Sequence, residues 1–347
     1  MILLTLACET VTPTLIGPDP SASVTPPSLD SPAEGLVFEH IDTLPHDATP
    51  RTAGDIDGDG DEDLIGLTTD QRVVVWDPEP RPLADLSHAL EVDDAWVHGL
   101  EWVDGEVLVS VHTRTDQVYD RFVVALDLNG GLTVRARAES FNVVADVDGD
   151  GLSEHLFYDR DGSWMELSGG DRLDLPPGMN GTWRPHAVAL ESGDVILLND
   201  SGYGVHEVYL LDLATGATEH LHLYASNVAT DGDADHYATE LVVSTWDTRL
   251  RFVDGAFEPF AFGDLSPMLA GNLDGHGGAD LLSWDDTTLG MVSDGADLSA
   301  VSVEGLEQPA WHAVVADLDG DGLDDLVLPT WDQDGGVDVK VYANLTP

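Results

Sequence analysis

The sequence predicts an all-β protein: a seven-bladed β-propeller of four-stranded blades, closed by its N-terminal strand joining the last blade. Three observations predict it. An acidic, glycine-bearing loop recurs at a near-constant interval along the 347 residues. Short apolar runs of β-type residues flank each copy. One strand-like segment precedes the first complete unit, and the last unit is one strand short.

The chain opens with "MILLTLAC", a short apolar run ending in Ala7-Cys8. No Lys or Arg precedes it, yet it reads as the end of a bacterial lipoprotein signal, with Cys8 as the lipidated residue. Residues 9–35, rich in Pro, Ser and Thr, have the composition of an extended tether. Residues 36–347 are then the propeller. Cys8 is the one cysteine, so an intrachain disulfide is excluded. No later run is long and apolar enough to span a membrane as a helix. The membrane is therefore a partner only through an anchor at Cys8. The expected location is extracytoplasmic, on a bacterial outer membrane or cell surface.

Charge narrows the partners further. With 66 acidic and 13 basic residues the formal net charge is -53. Such a surface repels nucleic acid and anionic lipid and suits a protein that meets cations. The 42% hydrophobic content, patterned as strands, argues against disorder.

The repeat begins at "AGDIDGDGDEDLIGL" (53–67), where six acidic side chains occupy nine positions. Full copies follow at "ADVDGDGLSEHLFY" (from 145) and "ADLDGDGLDDLVL" (from 316). Weaker ones lie at "TDGDADHYATELVV" (from 230) and "GNLDGHGGADLLSW" (from 271). Two further units, around "WVDGE" and "ESGD", keep the flanking apolar runs but have lost the acidic set. Aligned first positions fall at 55, 101, 146, 190, 231, 272 and 317, in steps of 41 to 46 residues. That period marks a repeat architecture. Runs such as "RVVVW" (72–76), "VLVSV" (107–111), "LVVSTW" (241–246) and "VDVKVYAN" (337–344) are β-branched and bounded by turn residues. No window sustains a helical period. About four strands fit each unit, as in a propeller blade. "LVFEHID" (36–42) can supply the strand the last unit lacks.

The loop's chemistry points to a metal. Asp55, Asp57 and Asp59 alternate along the chain, glycine follows, and Asp63 stands at position nine. Oxygens so arranged can surround one centre, with Asp61 lending its carbonyl. Ca²⁺ takes six to eight oxygens, and a divalent ion offsets the repulsion between crowded carboxylates. An EF-hand would need Glu at position twelve, where Gly66 and Phe157 stand, and flanking helices. Mg²⁺ rarely has an all-protein cage, and a zinc-type Cys/His cluster is missing. In the weaker copies Asp231, Asp233 and Asp235 remain, with Glu240 one residue late, and Asn272, Asp274 and Asp280 remain, with His276 at position five. The expectation is three Ca²⁺ sites and up to five. The hairpins at Asp104 and Asp194 should be metal-free. The five loops hold 21 of the 66 acidic residues, so most of the charge is general surface.

These motifs resemble the FG-GAP/VCBS repeat family, which includes the N-terminal propeller of integrin α subunits. The resemblance covers 36–347 as an architecture and is specific in three units. It implies that each loop joins the first two strands of a blade and holds Ca²⁺ on one face. The implied ligands are Asp55, Asp57, Asp59 and Asp63 in the first copy. They are Asp146, Asp148, Asp150 and Glu154 in the second, and Asp317, Asp319, Asp321 and Asp325 in the last.

Of the nine tryptophans, Trp246, Trp284 and Trp331 follow the second strand of their units and Trp96, Trp183 and Trp311 precede the first, as packing residues between blades do, although exposed ones would suit sugar rings. No HExxH, G-x-S-x-G, P-loop or G-x-G-x-x-G motif occurs. The reading that follows is a non-enzymatic, calcium-binding interaction or adhesion module with a protein or glycan ligand. A lectin-type propeller is the alternative, and a propeller enzyme such as a polysaccharide lyase or esterase comes behind it.

Overall fold

The computed structural model describes residues 38–345 except 45–47, 78, 116–117, 149, 160–161, 168–169, 176–185, 191–192, 201–205, 214, 226, 231–236, 239–240, 245–248, 254–255, 260–265, 274–279, 285–288, 293–298, 302–312 and 332–336. Residues 1–8 and 9–35, where a signal segment and a tether are expected, lie outside the described residues.

Those residues form seven sheets, six of four strands and one of five. Sequence-adjacent strands pair antiparallel in each, as short turns between β-type runs require. The first sheet comprises Ala48–Gly54, Asp63–Thr68, Arg72–Asp77 and Glu79–Asp85. The next two run from Asp94–Val103 to Leu132–Ala136 and from Ser140–Val144 to Arg172–Asp174. The remaining sheets span 186–225, 227–259, 266–301 and 314–344.

The apolar runs are continuous because both faces of a sheet are buried. Ile65, Val73 and Val75 pack with Val107, Val109 and Val111 of the next sheet. Their alternates Leu64, Val74 and Trp76 pack with Val314, Val327, Val339 and Val341 of the C-terminal sheet. Val195 and Leu197 likewise face the 140–174 sheet, and Ile196 and Leu198 face Leu241 and Val243. Period-two alternation thus sends successive side chains into two different cores.

The initial strands of neighbouring sheets lie side by side. Ala48–Gly54 touches both Asp94–Val103 and Val314–Ala316, Ser140–Val144 touches Asp94–Val103 and His186–Leu190, and Ser266–Gly271 touches Asn227–Thr230 and Val314–Ala316. Phe38–Leu44 pairs antiparallel with Val337–Asn344 and completes the C-terminal sheet at four strands. The expected pairing of the two ends of the chain is therefore present.

Two details depart from the expected blades. Tyr237–Ala238 adds to the 186–225 sheet as a fifth strand, parallel to His186–Leu190. Leu86–Ala89 is a single helical turn, capped by Asp85, whose Oδ1 accepts the His88 N–H at 3.1 Å. One turn is too short to leave a helical period in the sequence. The described part of the first strand, Phe38–Leu44, overlaps the expected run, whose residues 36–37 lie outside the described residues.

Candidate metal centres in the acidic loops

Each full acidic loop links the first strand of a sheet to the second. The reversal is tight because backbone amides are turned inward onto the loop's own carboxylates. In the first loop Asp55 Oδ1 accepts the Gly58 N–H at 2.6 Å, and Asp57 Oδ1 accepts the Asp59 N–H at 3.1 Å. Gly58 and Gly60 supply the positive φ angles, +82° and +102°, that the turn demands. The loops at 146 and 317 repeat one another. Asp146 and Asp317 each accept N–H groups four and five residues on, at 2.7–3.1 Å, while Asp148 and Asp319 each accept the N–H two residues on.

Carboxylate oxygens converge in three places, within 4.8 Å of one another in each. The trios are Asp55, Asp57 and Asp59; Asp146, Asp148 and Glu154; and Asp317, Asp319 and Asp321. Asp63, Asp150 and Asp325 belong to the same loops without being part of those trios. The donors are hard oxygens, as Ca²⁺ prefers. The electrostatics agree. The Asp61 carboxyl is held up to about 6 by its hydrogen bond to Asp59, by burial and by the charges of Asp59, Asp63 and Asp57. Asp59, receiving that hydrogen bond, is pushed down. Asp61 thus enters the first loop through its side chain, in addition to the carbonyl role expected for it.

Position nine anchors the loop to the fold. Asp63, Glu154, Asp280 and Asp325 are 5, 0, 0 and 2% exposed. In each, one carboxylate oxygen accepts the N–H of position two, from Ile56, Val147, Leu273 and Leu318, at 2.5–3.2 Å. The position-two side chains turn toward the apolar cores, and Ile56 and Leu273 are buried. Glu154, one methylene longer than Asp, makes the same bond and also joins its trio. The weak loop at 272 keeps this anchor through Asp280. Its Asp274, and Asp231, Asp233, Asp235 and Glu240 of the loop at 231, lie outside the described residues.

A further role belongs to position eight, which the sequence reading passed over. Glu62 donates its N–H to the Asp317 carbonyl at 2.8 Å, and its Oε2 accepts the Asp317 N–H at 3.1 Å. Asp324 makes the same two bonds with Asn272, at 2.9 and 2.6 Å. Asn272 Nδ2 also donates to the Gly322 carbonyl at 3.0 Å. Position eight of one loop therefore clasps position one of the loop on the neighbouring sheet, linking 272 to 317 and 317 to 55. Burial pushes Glu62 up and Asp324 up to about 6. In the third sheet Ser153 takes this place and donates its N–H to Asp104 Oδ2 at 2.9 Å. The hairpin at Asp104 is a tight two-residue turn with positive φ at Asp104 and Gly105. It contributes a carboxylate to its neighbour's loop.

The residue before position one is small for a related reason. A Cβ on Gly54 would lie 1.9 Å from Trp102 Cδ1 on the next sheet, and one on Gly271 would lie 2.3 Å from Val315 Cγ1. Trp76 and Trp164 are buried between sheets, as expected of packing residues.

No protein-family model matches this chain, and no curated protein sequence matches it. Solved structures are similar in fold. A virginiamycin B lyase from Staphylococcus aureus aligns with a TM-score of 0.55 at 9% identity, covering 89% of this chain and 99% of that one. BBS1N, from its complex with ARL6DN, aligns with a TM-score of 0.57 at 12% identity, covering 90% and 97%. A streptogramin B lyase aligns with a TM-score of 0.56 at 11% identity, covering 89% and 98%. These are β-propeller-like proteins, and at such identities the likeness shows the fold alone.

Proposed function

We propose that this protein is a calcium-binding propeller of FG-GAP/VCBS type that acts outside the cytoplasm as an interaction or adhesion module. One observation carries the calcium reading: three loops of matching sequence each bring three carboxylates within 4.8 Å, with a buried ninth-position carboxylate outside the first and last trios (Asp63, Asp325) and inside the second (Glu154). Asp55, Asp57 and Asp59 would hold the first ion, Asp146, Asp148 and Glu154 the second, and Asp317, Asp319 and Asp321 the third. Bound Ca²⁺ supplies positive charge that offsets the carboxylates' mutual repulsion and stiffens the strand-to-strand turn. The remaining residues of each loop orient the ligands through their N–H groups.

In this reading the seven sheets are seven blades, and the ring closes through Phe38–Leu44 on Val337–Asn344. The serial contacts of the initial strands support that arrangement, as does the clasp from Glu62 to Asp317. The loop carboxylates are engaged in holding turns and neighbouring blades, which favours a binding role over acid–base catalysis. Cys8 and the 9–35 tether would hold the propeller at a membrane surface.

Calcium titration by calorimetry tests the metal assignment. Three ions per chain are expected, and Asp55→Ala, Asp146→Ala and Asp317→Ala should each lower the count by one. Stoichiometry unchanged in all three variants would refute it. Anchoring is tested separately, since Cys8→Ala should move the protein from the membrane to the soluble fraction.

A further inference from the structure

The sheet spanning 94–136 carries a group of side chains that neither the metal loops nor the cores use. Its strands Asp94–Val103, Glu106–Thr115 and Val118–Leu126 lie side by side, with Asp94 opposite Arg114, Trp96 opposite His112, and Arg114 opposite Tyr119. Directly opposed residues share a face, so Asp94, Trp96, Arg114 and Tyr119 project together. Arg114 stands on the middle strand. Its guanidinium sits 5.5 Å from the centre of the Trp96 ring and pairs with Asp94, and Tyr119 stands opposite it on the next strand.

The aromatic rings of this group are exposed. Trp96 is 37% and Tyr119 66% exposed, whereas Trp76 and Trp164 are buried between sheets and Trp102 packs over Gly54. Packing therefore accounts for those three tryptophans and leaves Trp96 unexplained. The group lies at the end of the sheet away from the Asp104 turn. From Trp96 to Val103 is roughly 20 Å at about 3.3 Å per residue.

We propose that this face binds a neutral oligosaccharide, with sugar rings stacked on Trp96 and Tyr119 and hydroxyls hydrogen-bonded by Arg114 and Asp94. Charge selects the class. The field of a chain with net charge -53 opposes an anionic ligand, and Arg114 at the centre opposes a cationic one. A neutral ligand rich in hydroxyls and with apolar ring faces suits flat aromatic surfaces around an ion pair that can both donate and accept. Two strand spacings across and two residues along set Trp96 and Tyr119 roughly 12 Å apart, the span of an oligosaccharide rather than a single sugar. Two aromatic side chains and an ion pair fall well short of the about 800 Å² per partner in a standard protein interface. The inference goes beyond the interaction-module reading, which leaves the ligand as protein or glycan and names no face, and it does not depend on calcium.

The test uses the full chain on an array of neutral gluco-, manno-, galacto- and xylo-oligosaccharides beside sulfated and uronate-bearing ones. Calorimetry on the best binder follows, with wild type, Trp96→Ala and Tyr119→Ala. Neutral oligosaccharides should be retained in preference to acidic ones and to monosaccharides. Each substitution should weaken binding at least 10-fold while the far-ultraviolet circular dichroism spectrum stays that of wild type. The proposal is overturned by retention of no neutral glycan, by preference for acidic glycans, or by affinity unaffected by both substitutions. Sugar binding that ignores both substitutions would leave the interaction-module reading standing while removing this site.

Discussion

Replacing Glu62 by Ala should loosen the join between the first and last sheets by about 1–2 kcal/mol. Glu62 and Asp317 are 255 residues apart and share two hydrogen bonds, of which the substitution removes one, the 3.1 Å bond from the Asp317 N–H to Oε2. The 2.8 Å backbone bond from Glu62 to Asp317 survives. A hydrogen bond to a charged group contributes roughly 1.5–3 kcal/mol. Burial of Glu62, which raises its pKa, offsets part of that. Glu62→Gln keeps the acceptor and discards the charge, so in chelator it should match or exceed wild type. Asp324→Ala is an independent repeat, since it removes the 2.6 Å bond to the Asn272 N–H. Equilibrium urea unfolding in chelator, read by tryptophan fluorescence, supplies the values. Glu62→Ala within about 0.3 kcal/mol of wild type, or Glu62→Gln as damaging as Glu62→Ala, would refute the clasp as a source of stability.

Three further outcomes follow from the same geometry. Gly271→Ala places a methyl 2.3 Å from Val315 Cγ1 and 2.6 Å from Asp324 Oδ2, and should cost about 1–3 kcal/mol by thermal unfolding. Asp104→Ala, which strips the acceptor from the Ser153 N–H, should cost roughly 1 kcal/mol and leave calcium stoichiometry at three. Asp61, Asp324 and Asp325 are each raised to about 6, so without calcium the folded state holds more protons than the unfolded chain between about pH 4 and 6. Melting temperature in chelator should therefore fall as pH rises through that window. The gain from Ca²⁺, which needs deprotonated ligands, should grow through it.

The repeat and the hairpin logic were legible in the sequence because they are local. Asp55 to Asp63 lie within one turn, and the period-two burial of Val73, Val74, Val75 and Trp76 is written in consecutive residues. The pairing of the two ends was legible by counting strands. What escaped came from neighbours distant in the chain. Nothing near Glu62 or Asp324 marks either as a clasp, because Asp317 and Asn272 belong to other units. Nothing beside Gly54 or Gly271 in the chain shows that Trp102 and Val315 on adjoining sheets demand their small size. Trp96 carries the same letter as the packing tryptophans. Its exposure follows from its position at the strand end beside Arg114, which sequence periodicity does not encode.

The central claim, that the acidic loops hold structural calcium, is tested most directly by melting the chain in saturating Ca²⁺ and in excess chelator. Saturation at about 100 times Kd stabilises by roughly 2.7 kcal/mol per independent site. Three sites then sum to about 8 kcal/mol, and for a domain of this size that raises the melting temperature by more than about 10 °C. A melting temperature that does not change between Ca²⁺ and chelator would contradict the account.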